Sequence, residues 1–186
     1  WLQNETKLDF KGGRIEKNTG SSGGGVMLWS KSELHLNGGQ IVNNKSTGSG
    51  GGLYMQSGSY LYVNSGKITK NPSTKAGGGV FSNGNNTDRM TIKVTGGEVS
   101  GNTAGTQAGG IYVGGAKAGS AMTMTGGSVK NNPAAAQQGG GIYVAANCSL
   151  TMWGGSVSGN HTKQTGGGIY VSKGTLTMYG GTVSNN

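Results

Sequence analysis

The sequence predicts an all-β protein, a right-handed single-stranded parallel β-helix of about 6.5 coils with three short strands in each. Three periodic features carry that prediction. A glycine-rich block recurs six times, at Gly23-Gly24-Gly25-Val26, Gly50-Gly51-Gly52-Leu53, Gly77-Gly78-Gly79-Val80, Ala108-Gly109-Gly110-Ile111, Gly139-Gly140-Gly141-Ile142 and Gly166-Gly167-Gly168-Ile169, with first positions 27, 27, 31, 31 and 27 residues apart. A second marker recurs seven times, at Gly12-Gly13, Gly38-Gly39, Ser65-Gly66, Gly96-Gly97, Gly126-Gly127, Gly154-Gly155 and Gly180-Gly181. Three residues past its first member stands Ile15, Ile41, Ile68, Val99, Val129, Val157 or Val183, and six past it an asparagine: Asn18, Asn44, Asn71, Asn102, Asn132, Asn160 and Asn186. The third feature is alternation of apolar and polar residues just before each pair.

That alternation defines the first strand of a coil. Leu8/Phe10, Leu34/Leu36, Leu61/Val63, Ile92/Val94, Met122/Met124, Leu150/Met152 and Leu176/Met178 face inward, and Asp9, His35, Tyr62, Lys93, Thr123, Thr151 and Thr177 face outward. The second strand follows the glycine pair, as in Ser156-Val157-Ser158. The third follows the triple glycine, as in Ile142-Tyr143-Val144. Glycine pairs and asparagine-rich clusters supply the turns between them. With 41 glycines in 186 residues, a helix is disfavoured, since each interior glycine costs about 1 kcal/mol.

One coil cannot stand alone. Its half-dozen inward side chains contribute roughly 1.5–3 kcal/mol each, against roughly 1–2 kcal/mol per residue of backbone ordering. Stacked coils share strand hydrogen bonds and one core, so residues 1–186 form a single domain with coils starting near 23, 50, 77, 108, 139 and 166. At about 4.8 Å per coil the rod is about 30 Å long. The asparagine column is structural: at a sharp turn Asn tolerates left-handed backbone angles, and stacked amides bond from coil to coil. Trp1 opens on a truncated coil and Asn186 ends on a ladder position, with no polar cap at either end, so the chain reads as a fragment of a longer repeat protein.

Composition narrows the function. The net charge of +9 comes from 15 Lys and Arg against six acids, and no two lysines are adjacent. Scattered cations read as a basic, solvated surface, with weak attraction to anionic polysaccharide or membrane surfaces as the alternative, and no specific nucleic-acid partner is expected. Cys148 is alone, so no internal disulfide forms. No apolar run approaches the length of a membrane span. Catalysis is not expected: Glu5, Asp9, Glu16, Glu33, Asp88 and Glu98 place no two acids at matching slots of neighbouring coils, as glycoside hydrolysis or calcium-assisted lysis requires. His35 and His161 lie about 24 Å apart along the axis and cannot share an ion. No metal and no cofactor is expected. A water-ordering threonine plane is not expected either, because the Thr123, Thr151 and Thr177 column is broken by Lys93, Tyr62, His35 and Asp9.

The strings GGGIYV, LTMWGGSVSGN and LTMYGGTVSNN resemble the Gly-rich β-helix repeats of bacterial and archaeal surface adhesins, including the polymorphic outer membrane protein type and related autotransporter-like passenger regions. The likeness covers nearly the whole chain. The short Phe-x-x-Asn signature of that outer membrane group is not repeated, Phe standing only at Phe10 and Phe81. The resemblance implies secretion, an extracellular or cell-surface location, and adhesion or a spacer role, with a host glycan or surface protein as partner.

Two surfaces are candidates for binding. Tyr54, Phe81, Tyr112, Tyr143 and Tyr170 follow Met27 in one outward column, where stacked rings offer a platform for sugar rings or a partner. The connections Asn83–Asp88 and Gly114–Ser120 are lengthened in two adjacent coils and should project together. Bare coil ends make end-to-end self-association into a filament the first alternative. A noncatalytic part of a polysaccharide-binding or polysaccharide-degrading β-helix is the second.

Overall fold

A computed structural model describes residues 1–84, 88–115, 119–134 and 137–186. Every strand pair in it is parallel, and no helix occurs among the described residues. The strands stack into four sheets, numbered here in chain order. Sheet 1 runs from Lys7–Phe10 to Thr175–Met178 and sheet 2 from Arg14–Glu16 to Thr182–Ser184, with seven strands each. Sheet 3 runs from Thr19–Gly20 to His161–Thr162 and sheet 4 from Val26–Leu28 to Ile169–Val171, with six strands each. The chain is therefore a β-solenoid of six coils and part of another.

Sheet 3 corrects the expectation of three strands per coil. Each of its strands is two residues long, directly after the ladder asparagine: Lys45–Ser46, Pro72–Ser73, Thr103–Ala104 and Pro133–Ala134 among them. Its inward residues are small (Ser46, Ser73, Ala104, Ala134), because the glycine block of the same coil crosses the core close by.

Register holds one slot per coil. Leu8 pairs with Leu34, Leu34 with Leu61, Leu61 with Ile92, Ile92 with Met122, Met122 with Leu150 and Leu150 with Leu176. The core is this column, its neighbour from Phe10 to Met178, the Ile41-to-Val157 column of sheet 2 and the inward residues of sheet 4. Most are fully buried. The slot just before each of the five inner sheet 1 strands is also buried and holds Ser32, Ser59, Met90, Ser120 and Cys148. Cys148 is thus a packing residue in a serine column, with its Sγ accepting a hydrogen bond from the Ser120 N–H at 3.2 Å.

The triple glycines have two separate causes. In the first slot the backbone is left-handed, as at Gly77 with φ +64°. In the third slot a side chain would collide: a Cβ on Gly79 would sit 2.7 Å from Gly110 O and 3.0 Å from Asn102 Nδ2. The glycine strand therefore lies directly against the asparagine column.

Candidate functional site

The asparagine column lies inside the rod, between sheets 2 and 3. Asn44, Asn71, Asn102, Asn132 and Asn160 have no solvent exposure. Each Nδ2 from Asn18 to Asn160 donates to the Oδ1 of the next coil's asparagine at 2.9–3.1 Å. That same Oδ1 also accepts the preceding asparagine's backbone N–H at 2.9–3.1 Å. From Asn44 to Asn186, Nδ2 gives its second proton to a sheet 2 carbonyl of the coil before, such as Ile68 O for Asn102 at 2.9 Å. Both amide protons and both oxygen lone pairs are therefore used, which is what burial of an amide demands.

One part of the expected ladder is corrected. The ladder asparagines are not left-handed. The residue before each one is: Lys17, Asn43, Lys70, Gly101, Asn131, Gly159 and Asn185 all have φ between 53° and 62°. The sharp bend belongs to that exposed position, which leaves the ladder residue free to aim its amide inward.

The aromatic column stands on the outer face of sheet 4, as the alternation predicts. Ring centroids are 5.2 Å apart for Tyr54–Phe81, 4.8 Å for Phe81–Tyr112, 4.9 Å for Tyr112–Tyr143 and 5.3 Å for Tyr143–Tyr170. Phe81 and Tyr143 keep only 8 % of their surface exposed. Three of the five rings, Phe81, Tyr112 and Tyr143, have neighbours on both faces, so edges and phenol oxygens form most of the outward surface. Burial pushes the Tyr112 phenol up to about 12, helped by the neighbouring Tyr143. Burial also raises Tyr54.

Sheet 1 carries a mixed outer face. His35 stacks on Tyr62 at 4.3 Å, shares a 2.8 Å contact with Glu33, and Lys93 Nζ lies 5.7 Å from the Tyr62 ring centre. His35 is therefore packed against its neighbours on that outer face. Trp153 and Tyr179 stack at 4.0 Å and stay 58 % and 64 % exposed. At the corner between sheets 4 and 1, a hollow of about 400 Å³ is lined by Asn4, Glu5, Ser30, Lys31, Ser57 and Asp88. It gathers two acids that the coil register alone keeps apart.

Of the lengthened connections, Asn85, Asn86, Thr87, Ala116, Lys117 and Ala118 lie outside the described residues. The described ends do meet: Arg89 Nε donates to Gly119 O at 3.2 Å.

The feature that sequence reading missed is a charge cluster. The arc from each sheet 2 strand to the end of the following glycine block holds Arg14, Lys17, Lys45, Lys67, Lys70, Lys75, Lys130 and Lys163 against Glu16 and Glu98. The first six of these cations fall in the first three coils, and all six are exposed. Glu16 is taken by Arg14 at 3.0 Å. Glu98 is held below the usual carboxylate range by a Ser100 hydroxyl bond and by Lys130 at 3.2 Å. All twelve Trp, Tyr and Phe residues lie on sheets 4 and 1 and their adjoining turns, none on this arc.

In comparisons with known proteins, no family model, no curated protein and no solved structure matches this chain.

Proposed function

We propose that the chain is a noncatalytic structural stalk or passenger segment of a secreted microbial surface adhesin. The observation that carries this reading is the unbroken ladder from Asn18 to Asn186, which makes each coil an interchangeable length of rigid rod. The surface-adhesin part rests on the likeness of the GGGIYV and GGSVSGN strings to adhesin repeats. The chemistry of the acids supports a noncatalytic role. Glu5 and Asp88 share a corner hollow but belong to coils about 10–14 Å apart along the axis, farther than the roughly 5–9.5 Å used across a glycosidic bond. We assign the aromatic column to holding the rod, because its ring faces are spent on one another.

Deleting one coil, Gly50–Ala76, tests the reading. A stalk should fold as before and shorten by about 4.8 Å in small-angle scattering. Loss of the fold sinks interchangeability. Release of reducing ends from polyuronate by the intact chain, with or without calcium, sinks the noncatalytic role.

A further inference from the structure

The six-cation cluster has no part in the stalk reading, and we infer that it is a docking surface for an anionic polysaccharide. Arg14, Lys17, Lys45, Lys67, Lys70 and Lys75 spread across three adjacent coils, about 10 Å along the axis. Lys45 sits one coil on from Lys17 and one coil before Lys70, and Lys67 lies three residues before Lys70. Glu16 is the one acid of the first three coils on this side, and Arg14 occupies it. None of Lys17, Lys45, Lys70 or Lys75 forms an ion pair among the described residues.

A second observation points the same way. The left-handed position before the ladder is filled by Asn or Gly at Asn43, Gly101, Asn131, Gly159 and Asn185, the residues that tolerate it best. Lysine takes that strained position only at Lys17 and Lys70, and both lie in the cluster. Lysine is left-handed at Lys31 and Lys173 as well, outside the cluster, so the bend alone marks no surface; at Lys17 and Lys70 it comes together with like-charge crowding.

The surroundings select the ligand. No aromatic ring lies on this arc, so bases have nothing to stack on. No exposed large apolar side chain stands among the six to enter a lipid layer. What accompanies the cations is hydroxyl: Thr47, Thr69 and Thr74, the last with its hydroxyl turned onto Thr47 O. Point charges on flexible stems, interleaved with hydroxyls around the bend from sheet 2 to sheet 3, suit the sulfates, carboxylates and ring hydroxyls of a linear acidic glycan.

The test measures binding of labelled heparin oligosaccharide against salt for three proteins: the intact chain; a cluster variant with Lys17→Asn, Lys45→Gln, Lys70→Asn and Lys75→Gln; and an opposite-side variant with Lys7→Gln, Lys11→Gln, Lys93→Gln and Lys173→Gln. Both variants lose the same charge, and the cluster variant places at its bends the residue that Asn43 and Asn131 already provide, so it folds. The cluster variant should lose at least roughly tenfold in affinity, with a shallower salt dependence, and the opposite-side variant no more than about twofold. Equal losses in both variants overturn the proposal. So does an intact chain that ignores heparin at physiological salt, that holds neutral dextran as tightly, or that prefers single-stranded DNA or phosphatidylserine vesicles.

Discussion

The two sides of this rod are held together by different means, and the difference explains their surfaces. On the side of sheets 4 and 1, coil-to-coil cohesion comes partly from outside, through the ring column from Tyr54 to Tyr170 and the Trp153–Tyr179 pair. On the side of sheets 2 and 3 it comes from inside, through buried amides. A side stapled internally has its exterior free. That exterior is where the chain places eight of its 15 cations and none of its aromatic rings. On the ring side the faces of Phe81, Tyr112 and Tyr143 are spent on neighbouring rings, while Trp153 and Tyr179 stay exposed. A rod of identical repeats can thus be two-faced without any change of backbone.

The contrast breaks most directly at the amides. Asn102→Ala strips the acceptor from the Asn71 backbone N–H and from Asn71 Nδ2, both fully buried. Two orphaned buried donors cost about 3–5 kcal/mol together, read by urea denaturation. A loss below about 1 kcal/mol would mean the inner staple is not what holds that side. Tyr112→Ala is the matching lesion on the other side. It removes one ring from between two others, at 4.8 and 4.9 Å, and should cost about 2–4 kcal/mol, since the ring is only half-buried. If Tyr112→Ala proves the more damaging, the ring column is the principal support and the comparison reverses.

How much of this was legible in the sequence depends on what one coil repeats. The core columns, the ladder and the ring column were legible because each puts the same chemistry at one slot every 26 to 31 residues. Sheet 3 was not. Two residues such as Pro72-Ser73 or Thr103-Ala104 are too short to show alternation, and their inward members are small and polar or merely small. The left-handed bend was placed on the wrong residue because Asn43-Asn44 and Asn131-Asn132 offer two asparagines side by side; Lys17-Asn18 and Lys70-Asn71 resolve which one bends. The charge cluster was invisible for a different reason. Lys17, Lys45 and Lys70 are scattered in sequence and become neighbours only once the register wraps the chain.

Ring-side burial also sets a pH signature that the basic side lacks. The Tyr112 phenol is raised to about 12 from its ordinary 10. The unfolded chain would ionise first, so the stability owed to the neutral phenol is complete below pH 10 and is lost as the pH climbs from 10 to about 12. Near-ultraviolet absorbance should show Tyr112 ionising late, and Tyr112→Phe should delay alkaline unfolding. A chain whose tyrosines all titrate together near the ordinary value would show that the rings are open to water.

The smallest effect sharpens the basic side. Lys70 is exposed and left-handed, with φ 56°. A non-glycine residue there costs roughly 1–2 kcal/mol, and glycine returns part of that gain as unfolded-chain entropy, roughly 0.5–1 kcal/mol. Lys70→Gly should therefore raise stability by a few tenths to about 1 kcal/mol, and removal of one charge from a crowded cluster acts in the same direction. The same change at Asn43, whose residue type already tolerates the bend, should gain less. Equal gains at the two positions would mean that lysine is not strained there. The bend would then report only the fold, and the case for a surface held against its own preference would rest on charge alone.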